Sequence, residues 1–246
     1  MDKTVNILGV NISSANVSEA AQMILDSFSS GKKISVFTPN SEIILSAYKD
    51  ENFKNIINSA SLCTADGIGV IYASKIFGTP IPERCSGYDI SLELIKQMSK
   101  TGSSVYLFGA SPGVAETAKK KIEEANPGIN IVGYHDGYFD AEEEKNIIND
   151  INEKKPNLLF VCLGSPKQEK WIYDNLDKLN INAAMGLGGC LDVYAGNVKR
   201  APKIFIKLGL EWFYRLIKEP KRFFRMLALP KFMLTVLKIK FFGGKK

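Results

Sequence analysis

The sequence lacks the residues from which most metal sites and disulfide frameworks are built. It contains one histidine, His135, and four cysteines, none of them in a Cys-x-x-Cys pair. A histidine-based metal site is therefore excluded, and isolated cysteines are typical of buried thiols in a reducing compartment. No Asp-x-Asp pair and no Walker motif is present. The sequence thus predicts a protein that works without a metal or other cofactor.

Long apolar runs and a secretion signal are also missing. A membrane-spanning helix needs about 20 mostly apolar residues, but the longest apolar stretch, 226–237, is interrupted by Pro230 and Lys231. The first residues include an acidic side chain and predict a strand over 4–8, unlike a signal peptide. We therefore expect a cytoplasmic protein without a transmembrane helix.

Positive charge is concentrated in the last 44 residues. Residues 203–246 contain twelve Lys and Arg against two Glu, a net charge of +10, whereas the whole chain carries +6. The same segment holds nine of the 25 aromatic residues and many leucines. Cations interleaved with aromatic and aliphatic side chains are typical of helices that lie on an anionic membrane surface. Nucleic-acid-binding tails usually carry fewer bulky aliphatic residues, so no nucleic acid is expected.

Prolines divide this tail into short segments. Pro202, Pro220 and Pro230 are each suited to the first turn of a helix, and such helices are too short and too charged to cross a bilayer. We expect a body over 1–200 and an amphipathic, helical membrane-binding appendage over 201–246. In the alternative, the apolar tail residues complete the core of the body. The first interpretation predicts that a chain ending near Arg200 folds.

Residues 1–200 alternate between short β-rich runs and helical patterns. Strands are predicted over 34–37, 62–64, 105–108, 129–132, 158–163 and 183–187, and helices over 17–30, 87–100, 114–124, 142–153 and 166–179. This alternation predicts an α/β fold, with a Rossmann-like, mostly parallel sheet covered by helices on both faces.

Small, polar residues follow each predicted strand. In open parallel sheets, ligands bind beyond the carboxyl ends of the strands, so these loops predict the binding site. Segments 109–113 and 164–169 repeat glycine, serine and proline, which predicts a serine N-cap and a proline at the first helical position. Helix N-termini of this kind suit phosphate groups.

Single residues in these loops also have structural interpretations. Asp66 fits a turn or a helix N-cap, Asn40 fits an N-cap, and Ser165 with Gln168 has the spacing of a capping box. A dinucleotide site is a rival interpretation of the loops, but the segment 186–191 lacks the third glycine of that fingerprint. A nucleotide-dependent oxidoreductase therefore stays a distant alternative.

Six separated blocks of these residues occur in a fixed order. They are Thr38-Pro39-Asn40; Thr64-Ala65-Asp66-Gly67; Arg84 with Gly87 and Asp89; Gly133 with Asp136-Gly137-Tyr138-Phe139; Gly164-Ser165-Pro166-Lys167-Gln168-Glu169; and Gly188-Gly189 with Asp192 and Gly196, followed by Arg200-Ala201-Pro202. Together they resemble the WecG/TagA/CpsF glycosyltransferases, from the first strand to about Arg225. The resemblance implies metal-independent, inverting transfer from a UDP-sugar to a polyprenyl-diphosphate-linked acceptor at the cytoplasmic membrane face.

The resemblance also implies roles for single residues. Asp66 would be the general base, Thr38 and Asn40 would orient the sugar or the base, and Arg84 and Gln168 would contact the diphosphate or the reacting sugar. Asp192 would suit the nucleoside. Substrate binding is further assigned to the loop residues Gly109, Tyr138, Gly164, Pro166, Lys167, Gly188 and Gly189, and to the tail residues Arg215, Arg222 and Arg225, which could close over the diphosphates.

The TagA-like branch transfers N-acetylmannosamine to undecaprenyl-diphosphate-N-acetylglucosamine, which builds the linkage unit of wall teichoic acid. This is the activity that the resemblance favours. N-acetylmannosaminuronate and glucose are the alternative sugars, and homo-oligomer formation is left open.

Overall fold

The computed structural model describes residues 4–218 and 227–243, without the side chains of Lys203, Lys207 and Arg215. It begins with an antiparallel hairpin of β1 (Thr4–Ile7) and β2 (Val10–Ser13). Leu8 and Gly9, with φ of 53° and 89°, form the two-residue turn that such hairpins favour. The predicted first strand is therefore confirmed, but it lies outside the main sheet.

Six parallel strands form the main sheet. They are β3 (Ile34–Phe37), β4 (Leu62–Cys63), β5 (Ser104–Gly109), β6 (Asn130–His135), β7 (Leu158–Cys162) and β8 (Ala183–Gly186). Their order across the sheet is β4-β3-β8-β7-β5-β6, and every pairing is parallel. The central strands are apolar on both sides, because helices cover both faces. The α/β, parallel-sheet prediction is confirmed.

Helices connect the strands and fill the two faces. They are α1 (Val17–Ser30), α2 (Ser41–Lys49), α3 (Glu51–Asn58), α4 (Ile68–Phe77), α5 (Gly87–Thr101), α6 (Val114–Ala125), α7 (Ala141–Lys154), α8 (Lys167–Asn175), α9 (Cys190–Tyr194), α10 (Lys203–Lys207), α11 (Glu211–Lys218) and α12 (Ala228–Phe242). One face of the sheet is covered by α2, α3, α4, α7, α8, α12 and the hairpin. The other face is covered by α1, α5, α6 and α9.

The predicted serine N-caps after β5 and β7 are wrong. Helix α6 begins after Gly113 and α8 after Pro166, and neither has a side-chain cap. After β5, the N–H of Val114 donates to the carbonyl of Ser111 at 3.0 Å. Pro112 and Gly113, with φ of 80° at the glycine, hold the middle positions that suit them in a type II turn. The serine therefore starts a turn that precedes the helix.

The final helix, α12, packs against α2 and α4. Phe232 and Val236 are fully buried in the core of that face, so part of the tail does complete the core. On the other side of α12, Leu234, Phe241 and Phe242 are 67%, 71% and 84% exposed. The boundary near residue 200 stays a prediction. Among the helices in 4–218 and 227–243, none has the length and apolarity needed to cross a bilayer.

Candidate active site

The carboxyl ends of four adjacent strands, β4, β3, β8 and β7, form one edge of the sheet. The loop after β4 is tied to the loop after β3, because the N–H of Asp66 donates to the carbonyl of Pro39 at 3.3 Å. Similarly, the N–H of Leu187 after β8 donates to the carbonyl of Val161 in β7 at 2.9 Å. The structure thus brings the loops that carry Thr38, Asp66, Gln168 and Gly188 to one edge.

Asp66 lies in the short loop between β4 and helix α4. Gly67, with φ of 89°, is the N-cap of α4, and no side chain caps this helix. The interpretation of Asp66 as a helix N-cap is therefore wrong. Its half-buried carboxylate lies close enough to Arg84 to raise the pKa of that side chain. The N–H of Cys85 also donates to the carbonyl of Ala65 at 2.9 Å, so the segments that carry Asp66 and Arg84 lie side by side at the sheet edge.

Arg84 is surrounded by carboxylates. Its Nη2 donates to Oδ2 of Asp89 at 2.9 Å, and its Nη1 donates to Glu211 at the start of α11. Burial lowers the pKa of Arg84, but Asp66, Glu211 and Asp89 outweigh burial and raise the pKa above its ordinary value. Arg84 is therefore a fixed positive charge beside Asp66.

Thr38 and Asn40 follow β3. Oδ1 of Asn40 accepts the N–H groups of Glu42 and Ile43 at 2.9 and 3.1 Å, which confirms that Asn40 caps α2. Thr38 lies against the first residue of α5, where a Cβ on Gly87 would be 2.9 Å from Oγ1 of Thr38. The close approach of α5 therefore requires a glycine and brings Thr38 near the loop that carries Arg84.

Gln168 joins the loops after β7 and β8. Its Oε1 accepts the N–H of Gly188 at 2.8 Å, and its Nε2 donates to Oε1 of Glu169 at 2.8 Å. The predicted capping box with Ser165 is therefore wrong, because the amide bonds to a neighbouring strand end. Gln168 is also buried, so this amide has one fixed orientation at the edge of the sheet.

Glu169 is a buried carboxyl group that sequence reasoning left without a role. Burial raises its pKa, and hydrogen bonds from its neighbours offset this only in part. A raised pKa favours the protonated acid in the folded chain. The only feature of the sequence that points to Glu169 as a site residue is its position directly after Gln168 in the block 164–169.

We expect Glu169→Gln to change how the stability of the protein depends on pH. A glutamate whose pKa is higher in the folded state contributes stability below its unfolded pKa of about 4.3, and this stability is lost as pH rises through the folded pKa. The variant should therefore gain Tm relative to wild type as pH rises above about 4. Glu153→Gln on the surface of α7 is the matched control. A Tm difference that is flat with pH would contradict the assignment.

The loops after β5, β6 and β7 form a second part of the same edge. Nζ of Lys167 donates to the carbonyl of Gly137 at 3.1 Å and lies 4.1 Å from the ring centre of Phe139. The N–H of Gly137 donates to the carbonyl of Ala110 at 2.8 Å. Connections leave β5 and β7 toward opposite faces of the sheet, which makes this the topological switch point where α/β proteins bind nucleotides.

Several predicted substrate-binding residues lie on or next to the loops at this switch point. Tyr138, which follows the Lys167 partner Gly137, is 71% exposed. Gly109, with φ of 126°, has no room for a Cβ, which would lie 2.4 Å from the backbone of Cys162. Asp192 is in the first turn of α9, next to Gly189. The remaining ones follow β7 or β8 directly: Gly164, Pro166 and Gly188.

The predicted tail arginines are not part of the described geometry. Arg222 and Arg225 lie outside the described residues, and for Arg215 only the backbone in α11 is described. In the described part of the chain, no group of three or more His, Cys, Asp and Glu side chains could hold a metal ion.

Three charged residues of the site were missed as site residues: Asp89, Arg200 and Glu211. Asp89 and Arg200 occur in the blocks quoted above, but nothing in their spacing shows that they contact each other. Their contact requires the folded chain.

Known proteins are similar to this chain over most of its length. The family model described as "Glycosyl transferase WecG/TagA/CpsF family" matches residues 5–246. A Bacillus subtilis (strain 168) protein named N-acetylglucosaminyldiphosphoundecaprenol N-acetyl-beta-D-mannosaminyltransferase is 40% identical over 203 residues, which cover 82% of this chain and 78% of that protein. A Staphylococcus aureus (strain MW2) protein of the same name is 35% identical over 238 residues, 96% of this chain and 93% of that protein.

Proposed function

Because the chain belongs to the WecG/TagA/CpsF family of glycosyl transferases, we propose that it transfers N-acetylmannosamine from UDP-N-acetylmannosamine to undecaprenyl-diphosphate-N-acetylglucosamine. Relatives that are 35% to 40% identical over most of the chain carry the name of this activity. The observation that carries the proposal is that the segments of Asp66 and Arg84 lie side by side, joined by the hydrogen bond from Cys85 to Ala65, at the edge where four strands end. This edge pairs a candidate base with a cation suited to a leaving diphosphate.

The proposed reaction is a single displacement with inversion at the anomeric carbon. Asp66 accepts the proton of the acceptor hydroxyl while the hydroxyl oxygen forms its bond to the anomeric carbon. The bond from that carbon to the UDP oxygen breaks, and Arg84 stabilises the negative charge that develops on the diphosphate. Thr38 and Asn40 orient the sugar, and the fixed amide of Gln168 supports the reacting end of the donor.

The switch point at the ends of β5 and β7 is the proposed place for the rest of the nucleotide. Gly109, Gly164, Gly188 and Gly189 allow a close approach of the backbone to the donor, and Pro166, directly before α8, would lie beside them. Lys167 and Tyr138 would lie along the nucleotide, and the carboxylate of Asp192 would accept hydrogen bonds from the ribose hydroxyls.

The tail is proposed to hold the enzyme on the cytoplasmic face of an anionic membrane. Leu234, Phe241 and Phe242 form the exposed apolar side of α12, and the last 44 residues carry a net charge of +10. Buried apolar side chains and cations near lipid phosphates both favour such binding. Arg215, Arg222 and Arg225 would then lie near the diphosphates of the donor or the acceptor.

A panel of donors tests the proposed activity. Purified protein is incubated with a short-chain polyprenyl-diphosphate-N-acetylglucosamine and one of three donors: UDP-N-acetylmannosamine, UDP-N-acetylmannosaminuronate or UDP-glucose. Mass spectrometry then measures the mass of the product. We expect product with the first donor, and we expect turnover to persist in EDTA, because the proposed mechanism neutralises the diphosphate with arginine.

Three other results would contradict parts of this proposal. Product with another UDP-sugar would overturn the choice of donor, and activity lost in EDTA but restored by Mg²⁺ would overturn the metal-free mechanism. Thermal stabilisation by NADH but not by UDP would favour an oxidoreductase instead.

A further inference from the structure

Four charged side chains from separate parts of the chain meet close to Asp66. Arg84 lies between α4 and α5, Asp89 in the first turn of α5, Arg200 after α9, and Glu211 at the start of α11. Each is largely buried, with 17% to 28% of its side chain exposed. Charges that are shielded from water to this extent interact strongly, and their arrangement is fixed.

Asp89 lies at the centre of this cluster. Its Oδ2 accepts from Nη2 of Arg84 at 2.9 Å and from the hydroxyl of Ser86 at 2.5 Å, and its Oδ1 accepts from Nη2 of Arg200. One carboxylate therefore holds two guanidinium groups. Two cations repel each other unless an anion lies between them. Glu211 offsets part of the charge of Arg84, but Asp89 is the carboxylate that bonds to both arginines and holds them side by side.

Arg200 is also held from a second direction. Its guanidinium carbon lies 4.7 Å from the ring centre of Tyr88, and this ring lies 5.2 Å from that of Tyr194. The hydroxyl of Tyr194 is in turn 2.6 Å from Oγ of Ser91. A guanidinium has five N–H donors in one plane, and its contact with Asp89 uses a single nitrogen. Arg200 is therefore a preorganised cation with donors beyond those that Asp89 needs.

We propose that Asp89 is a positioning residue that holds Arg84 and Arg200 as a pair, and that this pair binds the diphosphate group of a substrate. A diphosphate carries negative charge on two neighbouring phosphoryl groups, which matches two neighbouring guanidinium groups. The inference rests on the proposed function, in which the donor and the acceptor both contain a diphosphate. It adds Arg200 to the residues that contact substrate and gives Asp89 an indirect role.

Binding of UDP and of uridine by full-length variants tests the pair. Uridine lacks the diphosphate, so the ratio of the two affinities isolates the contact in question. We expect Arg200→Ala to weaken UDP binding about tenfold or more, which is the usual effect of losing a hydrogen bond to a charged group, and to leave uridine binding unchanged. Lys199→Ala, which removes the same charge from an exposed neighbour, is the control and should leave both affinities near wild type.

Asp89→Asn tests the positioning role. The amide removes the negative charge and one of the two acceptor oxygens, so we expect UDP binding to weaken about tenfold. Adding Arg200→Ala to this variant should then cost clearly less than it does in the wild type, because Arg200 has already lost its support. Glu93→Gln, one turn further along α5, is the control for the change from acid to amide.

Transfer kinetics identify which diphosphate the pair binds. If the donor is the ligand, Arg200→Ala should raise KM for UDP-N-acetylmannosamine, whereas a rise in KM for the lipid-linked acceptor alone would assign the pair to the acceptor. Unchanged UDP-to-uridine ratios and unchanged KM for both substrates in a folded Arg200→Ala protein would overturn the proposal. The cluster would then act on stability alone, seen as a lower Tm.

Two further results keep the test decisive. If Asp89→Asn fails to fold, Arg200→Ala and Arg200→Lys decide the diphosphate contact without it, since lysine keeps the charge but loses the planar group. A wild-type protein that neither binds UDP nor uses a UDP-sugar would overturn the proposed function and the ligand of the pair together.

Discussion

Replacement of Asp66 by asparagine should lower the turnover number by about 100-fold or more, the usual effect of removing a general base. The amide keeps the shape of the side chain but cannot accept the proton of the acceptor hydroxyl. Affinity for UDP should change little, because Asp66 acts on the acceptor. Steady-state transfer rates, together with a UDP titration of the same preparation, measure both effects.

The control for this change is Asp26→Asn, a surface substitution on α1 that should leave turnover unaltered. Near-wild-type turnover of a folded Asp66→Asn protein would mean that Asp66 only shapes the turn before α4. A large loss of UDP affinity would point instead to an electrostatic role through Arg84.

Replacing Leu234, Phe241 and Phe242 together with serine should abolish binding to anionic vesicles. Each of these exposed side chains contributes about 1.5 kcal/mol or more when buried, so losing three of them weakens binding by roughly 1,000-fold. The body should keep its Tm, because these side chains do not face the core. Vesicle sedimentation measures the binding. We expect the triple variant to transfer sugar more slowly to a lipid-linked acceptor, and at the wild-type rate to a water-soluble acceptor.

Phe232→Ala on the opposite side of α12 is the matched change. This side chain is fully buried, so the substitution should cost about 3–5 kcal/mol of stability and lower Tm while the outer face is kept. If the triple variant still bound vesicles like wild type, the exposed side of α12 would not be the membrane contact. If it unfolded, that side would belong to the core after all.

The packing of α12 changes what truncation near Arg200 should do. The sequence predicted that such a chain folds, because the strand–helix alternation is complete by then. Removing α12 also removes Phe232 and Val236 from their contacts with α2 and α4. We now expect the shortened chain to be less stable as well as unable to bind the membrane, which makes point substitutions the cleaner test.

The sheet and the edge that carries the candidate site could be predicted from sequence, because both depend on local patterns. Buried parallel strands are short apolar runs, and the residues after them are small and polar. Gln168 shows where local patterns fail. Its spacing from Ser165 suits a capping box, but the N–H of Gly188, 20 positions away, is the partner it binds.

Contacts between distant segments could not be predicted. Asp89 and Arg200 are separated by 111 positions, and Arg84 and Glu211 by 127. Charged residues in a single sequence do not identify their partners. The sequence also does not show which side of α12 is buried. Apolar residues recur at helical spacing on both sides, as Phe232 and Val236 on the buried side and as Leu234 and Phe241 on the exposed side.

The strand order also sets when the protein can fold during its synthesis. β3 pairs with β8, and their paired residues Ile34 and Ala183 are about 150 positions apart. Until β8 has left the ribosome, β3 can pair only with the two-residue strand β4, and the β5–β7 half has no link to it within the sheet. Pairings between distant segments slow folding, and unpaired strand edges promote aggregation. We therefore expect ribosome-bound chains that stop short of β8 to remain sensitive to protease and to recruit chaperones. Resistance to protease should appear only in chains long enough for β8 to have left the ribosome.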